Sequence, residues 1–60
     1  MYTNIPRDPY MLLSFINMKL RDEYGSLETL CDDLNIDPDE LCEKLRSIGY
    51  EYNPDTNRFA

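Results

Sequence analysis

Pro9–Tyr24 reads PYMLLSFINMKLRDEY and holds the densest run of large apolar side chains in the sequence. At 3.6 residues per turn, Leu13, Ile16, Leu20 and Tyr24 fall along one face of a helix, and Met11, Phe15 and Met18 fall almost opposite. One small core needs only one such face. The first helix is therefore expected to pack on the rest of its own chain with one side. Its other side needs a second cover, either the C-terminal segment folding back or another protein molecule.

The limits of this helix follow from its neighbours. Asp8 can accept from the free amides of a first turn, and Pro9 at the first helical position loses no hydrogen bond. Gly25 can adopt the left-handed conformation that closes a helix, and Ser26 is then available to cap the next one. The first helix is predicted over residues 9–24. Residues 1–7, MYTNIPR, show no helical period and are expected to form an extended lead-in beside the C-terminal hairpin.

Beyond Ser26, Leu27, Leu30, Cys31 and Leu34 recur at i, i+3, i+4 and i+7, predicting a second helix over 27–34 with one buried stripe and an acidic outer face. Asn35 suits a left-handed cap. Asp37-Pro38-Asp39-Glu40 then combines an N-cap, a proline at the first position and a capping-box glutamate, the strongest local start signal in the sequence. The third helix, 38–48, places Leu41, Leu45 and Ile48 on one face with Cys42 at its edge, and Gly49 ends it. Lys44 and Arg46 suit its negative end, as Asp39 and Glu40 suit its positive end.

After Gly49 the period changes from helix to strand. Tyr50-Glu51-Tyr52 alternates, Asn53–Asn57 is dense in turn formers, and Arg58-Phe59 returns, so a hairpin is expected over 50–59. An isolated two-stranded hairpin is unstable and must lay its aromatic side on the helices. The fold class is mainly α, a small α+β domain: three helices in helix-turn-helix-like order with a C-terminal, winged-helix-like hairpin, in one domain over residues 1–60.

Composition narrows the chemistry. Sixty residues bury only about 60% of the surface the unfolded chain exposes, so association is a useful source of stability. Twelve carboxylates against six Lys and Arg give a net charge of −6, a surface that repels phosphate. The longest apolar run, Tyr10–Leu13, is far short of a membrane span or signal-peptide core, and a cytoplasmic location is expected. Cys31 and Cys42 stand eleven residues apart with no histidine in the chain, which is no zinc pattern, and both read as small, unbridged core residues.

DPYMLLSFINMKLRDEY, SLETLCDDLNID, PDELCEKLRSIGYEY and NRF together resemble the short bacterial family called domain of unknown function 4250. The resemblance covers nearly the whole chain. It implies a small bacterial protein with no assigned activity, and so no functional residues to carry over.

Among candidate chemistries, DNA binding is the sharpest that the helix order suggests. From Ser26 to Glu43, however, there are seven acidic residues and no Lys or Arg. Asp39, Glu40 and Glu43 occupy the leading face of the helix that would enter the groove, where phosphate contacts should supply affinity. The alternative nucleic-acid contacts are Lys44, Arg46, Ser47 and Arg58. Stacking of single-stranded bases on Tyr50, Tyr52 and Phe59 competes with their use in attaching the hairpin. Asp33, Asn35 and Asp37 reproduce the first three ligand positions of an EF-hand loop, but Pro38 and Lys44 fall where glycine and the bidentate glutamate belong, so no metal is expected. With no histidine, phosphate loop or nucleophile elbow, neither enzyme activity nor a cofactor is expected.

Protein recognition remains. Met11, Phe15 and Met18 form an i, i+4, i+7 stripe suited to docking on a partner or on a copy of itself as a homodimer, and methionine adapts readily at such surfaces. The competing expectation is that the hairpin covers this stripe within the monomer. The acidic outer faces of the second and third helices are expected to exclude nucleic acid and favour a basic partner.

Overall fold

The computed structural model describes residues 5–60. Three helices, α1 (Pro9–Asp22), α2 (Leu27–Leu34) and α3 (Pro38–Arg46), are followed by an antiparallel hairpin of β1 (Tyr52–Asn53) and β2 (Arg58–Phe59). The domain is thus mainly helical, a small α+β fold of the expected order.

Every helix start is set by the side chain the sequence points to. The Asp8 carboxylate accepts from the Met11 amide at 3.0 Å ahead of Pro9, Ser26 accepts from the Thr29 amide at 3.2 Å, and Asp37 accepts from the Asp39 amide at 2.9 Å ahead of Pro38. Two helix closures also follow the sequence, although α3 ends at Arg46, two residues short of the expected 48. Asn35 takes the left-handed conformation at φ 58°, with the Ile36 amide reaching back to the Cys31 carbonyl, and Gly49 at φ 88° lets the Tyr50 amide reach back to Leu45.

The end of α1 differs from expectation. The helix stops at Asp22, and Gly25 does not adopt positive φ. Its cap comes from the hairpin instead. The Asn57 side-chain amide donates to the Leu20 carbonyl at 3.1 Å and the Tyr24 carbonyl at 3.0 Å, while the Tyr24 amide folds back to Lys19. These bonds supply the partners that a helix end leaves missing.

The inward face of α1 keeps Ile16 and Leu20 of the predicted stripe but differs at its edges. Leu12, Ile16 and Leu20 are buried, whereas Leu13 and Tyr24 are half-buried at the edge. Lys19 joins this face. Its side chain is buried, with Nζ 2.7 Å from Glu23 Oε2 and 5.7 Å from the centre of the Phe15 ring, so a residue that reads as solvent-facing belongs to the packed face. From α2 the expected Leu27, Leu30, Cys31 and Leu34 are all buried, and from α3 Leu41 and Leu45, with Ile48 and Cys42 packed against them.

Phe59 completes this core and is fully buried. Its ring packs tilted on Tyr52 with centroids 5.5 Å apart. Its main chain is held from the other side: the Phe59 amide donates to Asn17 Oδ1 at 2.8 Å, and Asn17 Nδ2 donates to the Phe59 carbonyl at 3.0 Å. The Asn17 side chain thus occupies the outer edge of β2. Within the hairpin Tyr52 faces Phe59 and Asn53 faces Arg58, with Asn57 at φ 55° in the turn. The first strand starts two residues later than the alternation suggests, because the Tyr50 amide is already committed to closing α3.

Ile5, Pro6 and Arg7 border a groove with Leu12, Ile36 and Leu41, so the described part of the lead-in adjoins α1 and α3 rather than the hairpin. Residues 1–4 of the expected lead-in lie outside the described residues.

Candidate functional site

The residues of the predicted docking stripe divide. Met11 is 62% exposed and Met18 44% exposed, while Phe15 is half-buried and packs on the core beside Lys19. Tyr10, 61% exposed, joins the two methionines, and with Ser14 they occupy one outward arc of α1. The hairpin does not cover this arc. It docks on the adjacent side of the helix through Asn17, leaving between them a groove of 750 Å³ bordered by Leu13, Met18, Arg21, Tyr50 and Arg58. The neglected member of the patch is Tyr10, which has the right position on the wheel but reads as part of the helix start.

The alternative nucleic-acid residues do not line one common groove. Lys44 borders the groove of Ile5–Arg7 beside Glu40, whereas Arg58 borders the α1–hairpin groove. Arg46 Nε lies 3.9 Å from Glu51 Oε2, and the Ser47 hydroxyl donates to the Lys44 carbonyl at 2.5 Å. Arg21, near Arg58, is engaged by Asp22 through Nε and Nη2 at 3.0 and 3.1 Å. That pairing raises the Arg21 pKa and holds the Asp22 carboxyl below its ordinary range. On α3 the leading face is formed by Asp39, Glu40 and Glu43, all exposed.

The acidic residues of the α2–α3 turn have local duties. Asp33 accepts from the Tyr24 hydroxyl, Asn35 forms the left-handed cap and Asp37 caps α3. Among the described residues no group of three or more His, Cys, Asp or Glu is placed to hold a metal ion. Cys31 is buried, Cys42 half-buried, and both are unbridged. Burial raises both thiol pKa values, aided at Cys31 by the neighbouring Cys42 and Asp37 and opposed at Cys42 by Arg46.

One feature escaped the sequence reading. Between α2 and the start of α3 lies an open groove of 440 Å³, with Leu27, Cys31, Ile36 and Pro38 forming its apolar walls and Glu28 and Asp32 on its rim. The apolar Ile36, set in a two-residue turn before Asp37-Pro38, is the signal that could have marked it.

Fold and surface together define a small helix-turn-helix-like domain with a C-terminal hairpin, and among the described residues no helix is long and apolar enough to cross a membrane. The family model Domain of unknown function (DUF4250) matches residues 6–59, and the chain belongs to that family. No curated protein and no solved structure matches the chain.

Proposed function

We propose that this chain is a non-enzymatic, cytoplasmic interaction module that associates with a second copy of itself through the outward face of α1. The exposure of Tyr10, Met11 and Met18 on one arc of that helix carries the reading. Three large apolar side chains left in water on a chain this small are a cost that association removes. The distribution of charge permits a like partner at this face. Seven of the twelve carboxylates lie between Ser26 and Glu43, on the other two helices and their links, so two copies meeting along α1 keep most of their negative charge apart. Such a contact is self-complementary, each α1 lying on the other.

Sedimentation velocity over a concentration series tests this directly. The wild-type chain is expected to dimerise, and a Met11→Lys, Met18→Lys variant to remain a folded monomer. A wild-type protein that stays monomeric throughout overturns the reading, as does a variant that unfolds, which would make the methionines core residues.

The winged-helix-like order supports a second reading, a DNA-binding regulator. The acidic leading face of α3 and the separation of Lys44 from Arg58 both weigh against it.

A further inference from the structure

Among the three helices, α2 alone has no basic side chain in its last turn, although Glu28 in its first turn suits its positive end. Basic side chains stand in the last turns of α1 (Lys19, Arg21) and α3 (Lys44, Arg46), where they oppose the partial negative charge of the terminal carbonyls. The last turn of α2 has none, and carries Asp32 and Asp33 instead. Asp33 is engaged by the Tyr24 hydroxyl. Asp32 is exposed and has no hydrogen bond or ion pair among the described residues, so its place at the negative end of α2 weakens the isolated fold without visible return.

The return lies in what borders it. Asp32 and Glu28, one helical turn apart, rim the 440 Å³ groove whose walls are Leu27, Cys31, Ile36 and Pro38. Apolar walls, two carboxylates and the unopposed end of a helix dipole converge on one open surface. We infer that this groove docks a basic, apolar segment of another protein, its apolar side chain seated on Ile36 and Pro38 and its Lys or Arg side chains paired with Glu28 and Asp32. The net charge of −6 steers such a segment toward the domain and turns acidic chains away. A second copy is a poor source of those cations: it brings its own net charge of −6, and three of its six cations are already engaged, Lys19 by Glu23, Arg21 by Asp22 and Arg46 by Glu51. The groove lies on α2 and the turn after it, so its use goes beyond, and does not depend on, the α1 contact.

The test uses a dye-labelled amphipathic peptide of leucine and lysine, followed by fluorescence anisotropy and by amide NMR of the labelled protein. Saturable binding with shifts centred on residues 27–38 is expected. Asp32→Lys should weaken binding about tenfold, exchanging an attraction for a repulsion. The same substitution should raise the urea midpoint of the free protein, because lysine suits the C-terminal end of α2. A tighter fold with weaker binding is a pairing that a purely structural aspartate does not produce. Unchanged affinity in Asp32→Lys overturns the inference, and so does equal affinity for a serine and lysine peptide of the same charge, since nothing then depends on the apolar walls. Affinity lost in Met11→Lys, Met18→Lys but kept in Asp32→Lys would place the contact on α1, overturning this inference while leaving that face an interaction surface.

Discussion

Asn17 shows how a single side chain can join helix to hairpin. Its carboxamide offers one acceptor and one donor at the spacing of a peptide group, and the Phe59 amide and carbonyl take up both. Removing it leaves two part-buried main-chain groups without partners, so Asn17→Leu should destabilise the domain by about 2 kcal/mol in urea unfolding. A loss no greater than that of a surface substitution would mean water replaces the amide at no cost. Asn57 works the same way at the end of α1, with its hydroxyl partner Tyr52 also accepting from the Leu27 amide at 3.3 Å. Neither asparagine was legible in the sequence as a contact. Each bonds a residue more than thirty positions away, and only side chains acting within a few residues leave a local pattern.

At the scale of elements, what could be foreseen depended on how local its cause was. All three helix starts, the buried stripes of α2 and α3 and the two left-handed caps rest on neighbours within one or two turns, and each stands where the spacing put it. The end of α1 rests on the hairpin, and there Gly25 misled. On the inner face of α1, Ile16 and Leu20 stand as expected, but Leu12 and Lys19 are buried in place of Leu13 and Tyr24, the stem of Lys19 packing inward and its charge met by Glu23. The docking stripe was half legible: Met11 and Met18 are exposed together, but Phe15 turns to the core. The two glycines provide a check. Gly25 has an ordinary backbone and nothing within 4 Å of an added Cβ, so Gly25→Ala should be neutral or slightly stabilising. Gly49 also has open space but sits at φ 88°, and Gly49→Ala should cost about 1 kcal/mol or more through backbone strain alone. Equal urea midpoints for the two variants would contradict this account of how the helices end.

For the molecule as a whole, distribution of charge matters more than its total. The same helix order that suggests a groove reader carries carboxylates at the leading face and disperses its few free cations over separate grooves. In a low-salt amide NMR titration, mixed-sequence duplex at about 0.1 mM should leave residues 39–47 and 50–59 unshifted. Salt-sensitive shifts clustered there would establish the DNA-binding reading in place of protein recognition. Placement of Phe59 bears on something quite different, the lifetime of the protein. The turn at residues 53–56 is exposed, yet just beyond it in sequence stands the fully buried Phe59 ring, a member of the core that all three helices share. A peptidase that severs this loop cuts no helix, but it breaks the covalent link between that ring and the helices and leaves it held by packing and by hydrogen bonds alone, those of Asn17 and Asn57 among them. Limited proteolysis should therefore find one nick in this loop followed by digestion of the whole domain, and a nicked chain that stays folded would show that these contacts alone hold the ring.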